Sequence, residues 1–307
     1  MTTMSRVDFA FDRVRNVHDK LRWGVKAVGV GATLRGAGRL GSLLLRRPRH
    51  SEVRLRCGPV LEFGFPGQVP YALLMFGDLI DPEYSFLRRV ARPGWIVADV
   101  GAAIGQFTTF AATLPCSVIH AFEPSAANIE ALQQNIARNG ASHIAHVHRI
   151  ALSNVEGEAR FGTAAKTWVS GLSANGEEIV PVRTLTAEFE RLGLTHVSVL
   201  KINVAGFEPG VIEGGERFLA NGGADILVLL LGLPSLPWYA KLAEYGYRFF
   251  YFHPGQNTLF EVTAFDPASV LDHRPWPARH ILAVHQRAID AYVGPIVPIR
   301  ALSAFQP

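Results

Sequence analysis

"WIVADVGAAIGQFTTFAATL", Trp95 to Leu114, decides the fold. The apolar run from Trp95 to Val100 reads as a buried strand, Gly101 and Gly105 as a turn, and Gln106 to Leu114 as a helix. A glycine turn between strand and helix lets backbone N–H groups approach a ligand at a helix N-terminus. The next apolar stretch, "SVIHAFEPS", ends in Glu123, 24 residues after Asp99. An acid at the end of the second strand, about 20 residues past such a turn, is the group that accepts hydrogen bonds from a ribose diol. Strand, glycine turn, helix, strand and acid together point to an adenosine-containing ligand. The competing reading is that Glu123 only caps the following helix.

The turn is DVGAAIG, not G-x-G-x-x-G, whose second and third glycines serve a pyrophosphate. Asp99 directly upstream suits a ligand with a positive amino acid end. S-adenosylmethionine is therefore favoured over NAD.

Further along, "HVSVL" reads as a second buried strand that runs into "LKINVAGFEPG", Leu200 to Gly210. It ends on Lys201 and Asn203, turns at Gly206 and opens a helix at Glu208. Strand ends that hand over to helices are where α/β enzymes place their chemistry. Upstream, "EVRLRCG" alternates as a short strand, and "DPEYSFLRRVARPG" reads as a helix started at Asp81-Pro82 and stopped at Pro93-Gly94. The stretch Gly157 to Glu178 reads as a long polar loop, and Trp168 within it is a candidate cover for the adenine or an acceptor ring. Its equally weighted alternative is packing on the sheet edge. His120, His143, His146, His148, His196 and His253 lie on or beside expected strands, but no pair has a helical metal spacing with an acid, so no metal is expected. No G-x-S-x-G elbow and no P-loop occur.

The blocks "VADVGAAIGQFTTFAA", "VIHAFEPSAANIEALQQNIARNG", "VSVLKINVAGFEPGVIEGGERFL" and "LAEYGYRFFYF", with "HILAVH" as a closing strand, resemble the FkbM-type S-adenosylmethionine-dependent methyltransferases over roughly Pro93 to Phe252. The resemblance implies an α/β, Rossmann-like class I methyltransferase fold: a mostly parallel sheet with a C-terminal antiparallel hairpin. An N-terminal helical extension would precede it. It implies O-methylation of a sugar, glycolipid or secondary-metabolite hydroxyl. Asp99, Gly101 and Gly105 would hold the methionine end, Glu123 the ribose, and Ala151 to Ser153 would lie beside the adenine. Asn128 matches a family asparagine, but three residues after Ser125 it equally suits a helix start, the preferred reading.

The chain departs from the family where acids are usual. Thr186 stands in T-L-D, Asn203 and Ala205 stand in K-I-D-V-E-G, and only leucines occur near Leu230. Either the enzyme serves an acceptor that needs less help from a base, or the chain is a catalytically degenerate methyltransferase-like binding module. Lys201, Asn203 and Glu208 are the candidate catalytic residues. Lys201 and Glu208 equally suit a solvated strand end and a helix-start acid that complements the dipole.

The 307 residues are 49% hydrophobic and 18% charged, which excludes wholesale disorder. Cys57 and Cys116 are too few for a disulfide framework, so reduced thiols and a cytoplasmic chain are expected. No secretory signal and no spanning run is read. The net charge of +4 divides unevenly: residues 1–56 hold 13 Lys/Arg against 4 Asp/Glu, the rest 17 against 22. A basic helical arm and connector, 1–56, is expected to precede a methyltransferase-like domain, 57–307. Ser5 to Asp8 fits a capping box, and Val7, Phe11, Val14, Leu21, Val25 and Val28 fit one helix face. "GVGATLRGAGRLGSLLLRRPRH" carries so much glycine that an irregular connector is expected. The arm suits an anionic membrane surface or a partner protein, or is simply a solvated face; nucleic acid is not expected.

Overall fold

The computed structural model describes residues 21, 22, 24, 25, 28–69, 71–162, 171, 172, 176, 178–204, 206–230, 235–265 and 280–304. The expected capping box at Ser5, Val7, Phe11 and Val14 of the helix face that follows it, Trp168 and Ala205 lie outside these residues.

Strands follow in the order β1 (His50–Arg54), β2 (Val60–Gly64), β3 (Trp95–Val100), β4 (Cys116–Phe122), β5 (Ala145–His148), β6 (Ala151–Ser153), β7 (Gly157–Gly162) and β8 (Gly171–Leu172). Then come β9 (Glu178–Thr184), β10 (Val197–Ile202), β11 (Ala224–Leu230), β12 (Tyr247–His253), β13 (Thr258–Val262), β14 (His280–His285) and β15 (Ile299–Ala301). Nine of them form one sheet, ordered β15-β13-β12-β14-β11-β10-β3-β4-β5. β5, β4, β3, β10 and β11 run parallel, and β14 is inserted antiparallel between β11 and β12. The expected C-terminal antiparallel hairpin is β12–β13. The order reverses at β3, whose neighbours are β4 and β10, and this is the place where an open α/β sheet leaves a crevice beyond its strand ends.

The apolar runs form strands because both sheet faces are covered. Every residue of β10 is buried. Leu200 and Ile202 join the core on one face, and Val199 packs with Val97 and Phe110 on the other, the period-two alternation of a strand. A small sheet, β6-β9-β7-β8, flanks the main one.

The stretch expected to be an irregular connector is instead a 17-residue helix, Val30–Arg46. Glycine is costly in a helix, yet here packing prevails: a Cβ on Gly36 would sit 2.2 Å from the Met75 carbonyl oxygen. Only glycine lets this helix lie against Tyr71–Phe76 at that distance. Leu40 buries into the same cluster as Val53, Leu61, Phe63 and Phe76.

The β1–β2 hairpin, whose connection holds the expected boundary at residue 56, is fastened to helix Ala126–Arg138 by two side-chain amides. Asn135 accepts from Glu62 N at 2.7 Å and donates to Glu62 O at 2.9 Å. Asn139 does the same to Val60, at 2.9 Å each way. These asparagines stand in for a neighbouring strand on β2. The segment after the hairpin is thereby brought over the strand ends. No helix among the described residues is long and apolar enough to cross a membrane.

Candidate active site at the carboxyl ends of the central strands

A cavity of about 500 Å³ opens beyond the ends of β3, β4, β10 and β11. Its floor is the turn Gly101–Ile104, its roof includes Val69, Ala72 and Leu73, and Lys201, Asn203, Glu83 and His280 reach it from the side.

The glycine turn is braced by the end of β4. Gly101 N and Ala102 N both donate to Phe122 O, at 2.9 and 3.1 Å, and Ala103 N donates to Glu123 Oε2 at 2.9 Å. Gly101 has φ +77°, and a Cβ there would lie 2.0 Å from Asn203 O. Gly105 does not line the cavity: at φ +91° it caps helix Gln106–Ala111, and a Cβ would strike Leu132 at 2.7 Å. Its role is helix packing.

Glu123 lines the cavity and is almost fully buried. Oε1 accepts from Ser125 N at 3.0 Å and from Asn128 Nδ2 at 3.2 Å. Burial pushes its carboxyl above the usual range, against the pull of these three donors. A carboxylate accepts at about four positions, so capacity for one more donor remains. Asn128 sits at the helix start and also faces the cavity. Its backbone N–H is capped by Ser125 Oγ at 3.5 Å, and its side chain lines the cavity beside Glu123. Asn128 Oδ1, buried, has no hydrogen-bond partner among the described residues.

Asp99 is not delivered to the cavity. It is wholly buried, with Oδ1 on Lys201 Nζ at 2.7 Å and Oδ2 accepting from Thr108 Oγ1 at 2.7 Å. Register explains this: Lys201 and Asp99 are direct partners on parallel β10 and β3. Lys201 also donates to Gly101 O at 2.9 Å and lines the cavity, so a cation rather than an acid faces the space at this strand end.

Glu208 is likewise outside the cavity. Its two oxygens accept from Val204 N at 2.8 Å and Gly206 N at 2.9 Å, closing the turn before helix Glu208–Gly214. Ala151 lines the cavity as expected, but Ser153 does not: its carbonyl packs where a Cβ on Gly214 would come within 1.9 Å. Thr186 sits on helix Leu185–Arg191 beside a separate hollow with Asn154 and Arg217. The missing acids therefore do not surround one space; of the described positions, Asn203 and Leu230 line the cavity and Thr186 does not.

None of the six histidines considered from the sequence lines the cavity. His120 Nδ1 lies 3.0 Å from His148 Nε2, and burial, then the His148 and His146 imidazoles, bring His120 down to about 4. His280, the first residue of "HILAVH", does line the cavity. His280 Nδ1 lies 2.7 Å from Glu83 Oε1 and 3.7 Å from Asp81 Oδ1, and its Nε2 lies 3.2 Å from Asn203 Nδ2. One donor atom from each of Asp81, Glu83 and His280 falls within 4.8 Å of the others. Gln106 Nε2 donates to Asp81 Oδ2 at 2.6 Å. The sole sequence signal was that Asp81 and Glu83 open a helix and His280 opens a strand beside β11.

Sheet order and crevice define a Rossmann-like α/β domain. Residues 99–249 match the family described as the methyltransferase FkbM domain, and this chain carries a methyltransferase domain of that family. Among solved structures, a methyltransferase FkbM from Methylobacillus flagellatus is similar at 14% identity and TM-score 0.43, over 70% of this chain and 53% of that one. A tRNA m1G37 methyltransferase from M. jannaschii is similar at 13% identity and TM-score 0.40, over 77% and 56%. A precorrin-6y C5,15-methyltransferase from Geobacter metallireducens is similar at 10% identity and TM-score 0.38, over 66% and 86%. The chain spans about half the length of the first of these structures. No curated protein sequence matches the chain.

Proposed function

We propose that this protein is an S-adenosylmethionine-dependent methyltransferase acting on a hydroxyl of a small molecule or glycoconjugate. The observation that carries this reading is the pair of acceptors at the end of β4. Glu123 has capacity for one more donor, and Asn128 Oδ1 beside it is buried with none among the described residues. Two neighbouring acceptors fit the two hydroxyls of a ribose. A pyrophosphate fits poorly, because the amides of Gly101, Ala102 and Ala103 are already given to Phe122 and Glu123, and that of Gly105 to Ala102. Lys201 would receive the carboxylate of the methionine end, the reverse of the role expected for Asp99. Ala151 and Leu152 would flank the adenine.

When bound, S-adenosylmethionine supplies an electrophilic methyl group on a sulfonium. The chain's part is to orient the acceptor and exclude water; much of such an in-line displacement is accelerated by positioning. The apolar roof of Val69, Ala72 and Leu73 suits that exclusion.

Thermal denaturation with S-adenosylmethionine, S-adenosylhomocysteine and NAD tests the reading. A ligand at about 100 times its Kd adds about 2.7 kcal/mol of stability. The first two should raise Tm and NAD should not. A shift with NAD alone, or with none, overturns the proposal.

A further inference from the structure

The family's strand-end acid is an asparagine here, yet the same spot holds a histidine braced by another acid. We infer that His280 is the general base for the acceptor hydroxyl, held in the reactive tautomer by Glu83 on one side and Asn203 on the other. This rests on the methyltransferase reading above.

The tautomer follows from donor and acceptor chemistry. An ionised Glu83 carboxylate can only accept, so the 2.7 Å contact to Nδ1 carries a proton on Nδ1. The neutral ring then has its lone pair on Nε2. Asn203 presents its amide nitrogen, a donor, to that atom at 3.2 Å. The two neighbours therefore agree on one tautomer. An aspartate at 203 would instead accept from Nε2 and hold the ring doubly protonated, with no lone pair to offer.

The place is right for the task. His280, Asn203, Glu83 and Gln106 all line the cavity that Glu123 and Asn128 enter from the other strand end. In the reaction, the acceptor hydroxyl takes the place of the Asn203 amide at Nε2. The acceptor oxygen forms the new C–O bond as the S–C bond breaks with its electron pair to sulfur, and the hydroxyl proton passes to Nε2. The sulfonium's positive charge is lost as the imidazolium's appears. Glu83 at 2.7 Å and Asp81 at 3.7 Å face Nδ1 and favour that cation. Gln106, donating to Asp81, keeps the second carboxylate in place. The same logic orders an acid–histidine pair in hydrolytic triads, where the acid orients the ring and stabilises its charged form.

The test uses the full chain labelled with 15N-histidine, with His280→Gln to assign the resonances. In the resting protein the His280 ring should carry its proton on Nδ1 and none on Nε2. Asn203→Asp should convert it to the doubly protonated form. Transfer of a tritiated methyl group to a phenol and to methyl glucoside, as probe acceptors, forms the second arm. His280→Ala should lower kcat by about 10²–10⁴-fold, with the thermal shift from S-adenosylmethionine kept and added imidazole restoring part of the rate. A wild-type ring protonated on Nε2 overturns the inference, as does His280→Ala turning over at the wild-type rate. Broadening of the His280 resonances by micromolar Mn²⁺ would make the cluster a cation site and also overturns it. If neither probe is methylated, the nitrogen spectrum decides alone. That spectrum needs no S-adenosylmethionine, so failure of the base and failure of the cofactor reading are told apart.

Discussion

Lys201→Met should destabilise the domain more than any other single truncation at the strand ends. Lys201 and Asp99 are both buried, and the ammonium lies 2.7 Å from Oδ1. At an effective dielectric of about 20, that separation corresponds to roughly 6 kcal/mol of gross attraction, most of it offset by desolvation of the two ions. The substitution removes the attraction but leaves the carboxylate buried with Thr108 as its remaining side-chain donor, and it also takes the donor from Gly101 O. Breaking one side of a buried pair costs about 3–5 kcal/mol. At about 2–4 °C per kcal/mol for a domain of this order of size, Tm should fall by roughly 6–20 °C. Lys201→Met with Asp99→Leu should recover most of the loss, because neither charge is then stranded. Calorimetric melting of the wild type, both singles and the double closes the cycle. A single mutant within about 1 kcal/mol of wild type, or losses that simply add, would refute the reasoning.

Gly36→Val should loosen helix Val30–Arg46 from Met75, because even a Cβ would lie 2.2 Å from the carbonyl oxygen; limited proteolysis should cut between residues 30 and 50 faster, while Gly38→Ala, which meets nothing, should not change the rate. Acid should destabilise the β4–β5 edge. His120 is neutral in the folded chain down to about pH 4, whereas the unfolded chain takes up its proton near pH 6.5, so stability is retained above that value and lost as pH falls from it toward 4. His120→Phe should flatten that window in a pH series of melting curves, and an unchanged slope would contradict the cause given. The basic arm is proposed to dock on an anionic surface, since Leu34 and Leu45 are exposed on a helix ending in Arg46. The 307-residue chain, unlike one lacking residues 1–50, should co-sediment with phosphatidylserine vesicles, and less so in salt.

The fold was legible because its signals are local. β3, β10 and β11 are buried on both faces and so read as apolar runs, and Gly101 marks a turn that no other residue could make against Asn203 O. The candidate site was only half legible. Glu123 follows from spacing within one β-α-β unit. Asp99 did not, because its neutralisation by Lys201 depends on the register of two strands about a hundred residues apart. His280 and Glu83 are separated by 197 residues, and no period or spacing connects them. Helix Val30–Arg46 was hidden because glycine content speaks of backbone entropy, whereas the close approach to Met75 is tertiary. Glu208 looked available because its position suits a helix start; that it closes the preceding turn through Val204 and Gly206 depends on the turn's own shape.

The most direct measurement is a calorimetric titration of wild type and Glu123→Ala with S-adenosylhomocysteine. One molecule should bind per chain at micromolar Kd, and the substitution, which leaves ribose hydroxyls unpaired, should weaken binding by about 1–3 kcal/mol. Because Glu123 also braces Ala103, the variant's melting curve is taken alongside, and it must still unfold cooperatively. Absence of heat from the wild type at millimolar ligand, or equal affinity in a folded Glu123→Ala, would contradict binding at the end of β4.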